Sequence, residues 1–285
     1  METPKVGSEA SRDPVAPSQP KSTGYHRFAM TDQLTLRLEA DLPNPPTTLR
    51  PMLARPLPAP FDSPDHLFEP TWGGRRALAI IGPAEVPGTG EVRLVGVDGE
   101  PIEPVPPELG GLAVRVAARS AVLDGELVVV DATGRADPAA LRARLAGRPG
   151  RPIAYLAFDI LHLDGRPLLS LPLERRREVL RRVLRPGDEV VAVPAIPTEG
   201  KALHAAVVAQ GLAGTMARVR GGPYLPGVRS RLWRFVPATG LVVGDEAAEA
   251  AGGEPGPGSE APEGPANAPV LALIRRLPLG LDEPV

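Results

Sequence analysis

Leu67-Phe68-Glu69-Pro70-Thr71-Trp72-Gly73-Gly74-Arg75-Arg76-Ala77-Leu78-Ala79 sets a glycine pair between an acidic and a basic residue, just ahead of an apolar run. Paired glycines let a backbone turn tightly or approach a ligand closely. Glu69 and Arg76 flank that point of approach. On these residues alone two readings stay open: a hairpin carrying surface ion pairs, or the rim of a ligand site. Similar placements recur downstream. Asp124 and Glu126 bracket Gly125, and Phe158-Asp159 ends a run of β-branched and aromatic residues. Isolated polar residues at strand ends are therefore the candidate functional set.

Working outward, Arg76–Ile81 and Glu91–Val97 read as strands joined by the Pro/Gly turn 83–90. Leu127–Asp131 and Ile153–Ile160 read as buried strands. Between them Asp137-Pro138 opens and Gly147 closes a short helix, Ala139–Ala146. Leu173–Leu184 spaces its apolar residues for one buried helical stripe, with its arginines expected on a solvated face. Lys201–Gln210 reads as a helix stopped at Gly211, and Gly214–Val219 and Leu232–Val236 as strands. Residues 1–45 are polar and Pro/Ser-rich, a disordered leader by composition, with Met30 a second candidate start. Residues 245–268 have linker composition, and Val270–Leu281 is a short apolar segment.

Composition narrows the function classes. The 285 residues carry a net charge of −2, so no general attraction to polyanions follows. There are no cysteines, which excludes disulfides and thiolate chemistry. The four histidines (His26, His66, His162, His204) show no metal-ligand spacing. No apolar run approaches the roughly 20 residues of a membrane span, and no signal-peptide core is present. A cytoplasmic monomer without a membrane is the expectation. Only three lysines, Lys5, Lys21 and Lys201, stand against 29 arginines.

Taken in order, the segments resemble a family. Pro51-Met52-Leu53-Ala54 and the 67–79 stretch are similar to the motif I region of bacterial ATP-dependent DNA ligases, centred on K-x-D-G-x-R. Val122-Leu123-Asp124-Gly125-Glu126-Leu127 resembles motif III. Ala157–Arg166, continuing through Leu171–Arg176, resembles the following strand, turn and helix. Gly211–Arg218 falls where E-G-V-V-A-K occurs as motif IV, and Pro223–Trp233 leads into motif V. The likeness is to ligases of bacterial end joining and their stand-alone relatives, rather than to RNA ligases or capping enzymes. It implies an α+β nucleotidyltransferase fold over residues 46–238: two antiparallel sheets flanked by helices, with a central nucleotide cleft. It also implies lysyl-AMP chemistry with ATP and Mg2+, and DNA or DNA-end repair proteins as partners. By the resemblance Glu69 would contact the adenine amino group, Phe158 would stack on the base and Arg76 would reach the ribose. Glu126 would bind ribose or assist a metal.

The positions nearest the chemistry depart from the family. Thr71 stands at the lysine nucleophile and Gly73 at the aspartate after it. Ala213 replaces the motif IV glutamate and Arg218 its lysine, while Phe235 and Pro237 replace the motif V lysines. A threonine hydroxyl titrates far above neutrality and is a poor nucleophile without a base. A transition state that gathers negative charge needs the missing cations. The expectation is thus a degenerate ligase domain with no catalytic residue, no metal site, and a cofactor of ATP or AMP with Mg2+ only if activity remains. Its base and sugar half would survive, so adenosine, AMP and ATP would bind weakly at best and alike within about tenfold, and no binding of any of the three would mean that these residues persist only as packing. The alternatives are an active ligase, a sealer of pre-adenylated nicks, or a non-catalytic interaction module in DNA-end repair. Residues 239–285 are expected to be linker and tail, too short for the OB-fold that follows motif V in DNA ligases.

Overall fold

Alternation of side chains along the strands builds two buried layers, and it explains why polar residues can sit inside them. The computed structural model describes residues 44–46 and 48–238. Its strands and helices run β1 (Leu53–Pro56), β2 (Ser63–Thr71), β3 (Arg75–Ile81), β4 (Val92–Val95), α1 (Leu112–Arg115), β5 (Ala121–Val128), α2 (Pro138–Leu145), β6 (Ala154–Leu163) and β7 (Arg166–Pro167). They continue with α3 (Leu173–Val183), β8 (Val190–Ala192), β9 (Ile196–Thr198), α4 (Gly200–Ala209), β10 (Gly214–Val219) and β11 (Arg229–Pro237).

The first sheet has the order β1-β11-β10-β2-β9, the second β4-β3-β5-β6-β7, with β8 also on β6. The α+β, two-sheet reading of the sequence holds with one refinement: β1 runs parallel to β11, and β8 parallel to β6. A parallel neighbour requires a crossover, and α3 supplies it between β6 and β8.

On β3, β5 and β6 the even-numbered residues Leu78, Ile80, Val122, Leu156 and Phe158 join Phe68, Trp72 and Trp233 of the first sheet's segments in one core. The odd-numbered Ala79, Ile81, Leu123, Tyr155 and Ala157 pack under Leu141 of α2 and Leu180 and Val183 of α3. Each such large side chain contributes roughly 1.5–3 kcal/mol by leaving water. All of β5 is buried, so Asp124 and Glu126 lie in mid-strand on the inner face. The expected strand at 127–131 and the placement of these acids at a strand end are corrected accordingly. Asp159 likewise lies within β6 and does not end it.

The cap signals of α2 act as read. Asp137 accepts from the Ala140 N–H at 2.9 Å, and Pro138 occupies the first turn, where its missing N–H costs nothing. Most of the 1–45 leader, the 239–285 tail, Lys5 and Lys21 lie outside the described residues.

Candidate functional site

The β2–β3 turn, the inner faces of β3, β5 and β6, and the facing side of β10 and β11 carry the candidate residues. Trp72-Gly73-Gly74 folds back over β5, and Glu126 holds it there. Its carboxylate accepts from the Trp72 N–H at 3.0 Å and from the Gly74 N–H at 3.2 Å. Burial raises the Glu126 pKa, while the turn amides and Arg76 favour the ionised form. Gly74 must lack a side chain, since a Cβ there would come within 2.1 Å of the Leu127 carbonyl oxygen. Gly73 has φ +81°, in the left-handed region that glycine tolerates.

Two residues on, Arg76 reaches Asp124 through two hydrogen bonds of 2.6 Å, Nε to Oδ1 and Nη2 to Oδ2. It also donates to the Met52 carbonyl at 3.2 Å. Tyr224 donates to Asp124 Oδ2 at 2.6 Å and accepts from the Met52 N–H at 2.8 Å. Burial opposes the charge on Arg76, but the Asp124 carboxylate outweighs it and holds the guanidinium above its ordinary value.

Glu69 points into the same layer and is 1% exposed. It is paired with two buried arginines, Arg177 of α3 and Arg218 of β10. The Arg218 guanidinium carbon lies 4.1 Å from the ring centroid of Phe158 and 4.5 Å from that of Trp233. Arg76 approaches the same Phe158 ring at 4.5 Å. Such placements are attractive because a cation meets the negative face of the ring, and more so when desolvated. Arg177 also donates to the carbonyls of Phe158 (2.7 Å) and Val193. Behind it, Arg176 pairs with Asp159 through two bonds of 2.8 Å, both side chains fully buried. Burial pulls Arg177 and Arg218 below the ordinary arginine value. The expected solvated arginine face of α3 is therefore half right. Arg175, Arg181 and Arg182 are exposed, whereas Arg176 and Arg177 are internal.

The end of the cleft nearest Thr71 is built differently. Thr71 on β2 pairs with Gly214 on β10, which pairs with Pro237 on β11, so Thr71 and Pro237 share a row. Phe235 stands two residues along, and its ring lies against Gly214, where a Cβ would meet it at 2.6 Å. A Cβ on Gly73 would meet the Ala213 methyl at 2.8 Å. Gly73 and Ala213 are thus close neighbours. The Ala213 N–H donates to the Thr71 carbonyl at 3.0 Å, and Ala238 to that of Ala213 at 2.9 Å, while Thr71, Gly73, Ala213, Phe235 and Pro237 are half-buried. This arrangement does not fit a metal-bound triphosphate: its side chains are hydroxyl, methyl and ring where cations and carboxylates are needed. No group of three or more His, Cys, Asp or Glu that could hold a metal ion occurs among the described residues. Lys201 lies on the exposed side of α4, 3.6 Å from Asp62.

Glu69, Arg76 and Phe158 thus meet around Arg218, while Glu126 lies on the neighbouring strand with its carboxylate on the turn amides. Reading the sequence missed Arg177, Tyr224 and Trp233 as members of the cluster, while Asp124, singled out there beside Gly125, joins it through Arg76. A signal for Arg177 was present: Leu173, Arg176, Arg177 and Leu180 follow the i, i+3, i+4, i+7 spacing of a buried helical stripe.

The sequence pattern of the ATP dependent DNA ligase domain matches residues 51–234. The multifunctional non-homologous end joining DNA repair protein LigD of Mycobacterium tuberculosis is 33% identical over 166 residues, covering 58% of this chain and 21% of the relative. A probable DNA ligase of Sorangium cellulosum is 37% identical over 161 residues, 50% of this chain and 28% of the relative. The chain therefore spans between a fifth and a third of the length of these relatives. Among solved structures, the mycobacterial DNA ligase D complexed with ATP and MES superposes with a TM-score of 0.57 at 30% identity, over 67% of this chain and 60% of that one. The ligase domain of M. tuberculosis LigD gives 0.56 at 30% identity, over 66% and 59%. With the pattern matched across both sheets and the cleft between them, the chain belongs to the ATP-dependent DNA ligase domain family.

Proposed function

We propose that this chain is a ligase-type nucleotidyltransferase domain that forms no lysyl-adenylate and serves the DNA-end repair setting of its end-joining relatives without sealing nicks. The observation that carries this reading is the row of Thr71, Gly214 and Pro237, with the Phe235 ring against Gly214 and no cation or carboxylate among these side chains. An amine is needed to attack the α-phosphate, and cations are needed to hold it. Thr71 offers a hydroxyl, and the described lysine, Lys201, is committed to the exposed side of α4. His204, a candidate base by type, contacts Thr215 Oγ1 at 3.1 Å on the α4 side of β10. DNA and DNA-end repair proteins are the partners this reading implies, in the cytoplasm.

The test is incubation with α-labelled ATP and Mg2+ followed by a denaturing gel, alongside nicked and pre-adenylated DNA. The expected result is no labelled protein band and no sealed product. A labelled band at the protein's mass, or sealing of either substrate, would overturn the reading.

A further inference from the structure

We propose that Arg218 is a built-in occupant of the base site, so that this cleft is closed to purine nucleosides and one shortened side chain opens it. The inference rests on reading the cleft as a ligase-type nucleotide cleft, and it concerns the base end, not the phosphate end.

The chemistry of the cage carries it. A purine presenting an amino group needs an aromatic face to lie on and an acceptor for its N–H donors. Phe158 and Glu69 are such a pair. In this chain both already serve a planar, delocalised group with N–H donors at its edge: the guanidinium of Arg218, stacked at 4.1 Å on Phe158 and paired with Glu69. Trp233 closes another side at 4.5 Å, in edge contact with Phe158. Arg177 fixes the Glu69 carboxylate from α3 and the Phe158 carbonyl with it, so the cage is held independently of Arg218. A lysine at position 218 would bring a point charge that cannot lie flat on a ring and bond sideways at once; arginine can. The Lys-to-Arg departure at this motif IV position is thus the change that lets the chain occupy its own base site.

Truncation by Arg218→Ala removes a group with the outline of ethylguanidinium, which gives two probes. Ethylguanidinium reads the vacated cage, and adenosine reads its identity as a base site. In R218A that melts cooperatively, millimolar ethylguanidinium should raise the Tm while leaving that of the wild type unchanged. Adenosine should bind R218A at least about tenfold more tightly than the wild type. The double variant R218A/F158A should lose that gain. A folded R218A that responds to ethylguanidinium but not to adenosine would overturn the base-site inference. Equal adenosine affinity in wild type and R218A would overturn the occupancy itself. If R218A does not fold, saturation-transfer NMR of adenosine with the wild-type chain decides: no transfer is expected, and transfer to the purine protons would overturn the inference. A wild type that binds adenosine but takes no label from ATP would sink this inference alone. A wild type that takes label would sink the proposed function instead.

Discussion

At the Thr71 end of the cleft, small and apolar groups lie together: Gly73 against Ala213, Phe235 against Gly214. At the other end charge has been kept and turned inward, with Glu69 between Arg177 and Arg218, and Arg76 on Asp124. The difference reflects what each kind of group costs without a ligand. Clustered cations that await a phosphate repel one another and, once buried, have no partner. Replacing them with methyls and rings removes that cost. Carboxylates, arginines and an aromatic ring can neutralise one another, so the base end keeps its residues by pairing them. On the proposed function, half a pocket looks intact in sequence while its groups are already engaged with one another.

The comparison can be broken at several points, from strong effects to weak. Glu69→Ala would leave two buried guanidiniums without their carboxylate and should cost about 3–5 kcal/mol in urea unfolding. A loss below about 1 kcal/mol would mean that the base end is not held by ionic pairing. Glu126→Ala should cost about 2–3 kcal/mol by stripping the acceptor from the Trp72 and Gly74 amides. A thermally neutral E126A would show that Glu126 is not what holds the turn. At the other end effects should be small. Thr71→Ala should shift stability by no more than about 0.5 kcal/mol. Thr71→Lys should restore no adenylation, because positions 213, 235 and 237 still lack the groups that hold phosphate and metal. A labelled T71K band would show that phosphate and metal are held without those groups.

Much of the fold was legible in the sequence because its signals are local. Asp137-Pro138 marks the start of α2, and the continuous β-branched and aromatic run marks β6. What escaped depends on partners distant in the chain. Strands β8 and β9 have three residues each, too few to show a period. Strand β2 is masked by Pro64 and Pro70, which argue against a strand. Pro70 lies past the last β9 partner, Phe68↔Ile196, where β2 has a free edge on that side. Glu69, Arg76, Glu126 and Phe158 are singled out by motif order, and the structure places them on one inner layer. Their engagements do not follow from motif order, since Arg177 lies 108 positions from Glu69 and Asp124 lies 48 from Arg76. Charge alone places the arginines of α3 in solvent, although Arg176 and Arg177 sit in the helix's buried stripe.

Both ends of the cleft are probed together by calorimetric titration of the wild-type chain with ATP, with and without Mg2+, against adenosine. A Thr71 row without cations or carboxylates and an occupied base site predict no saturable heat for either ligand and no effect of the metal. Micromolar, Mg2+-dependent binding of ATP, absent with adenosine, would contradict the account, because it requires a phosphate and metal site where the structure has Thr71, Ala213, Phe235 and Pro237.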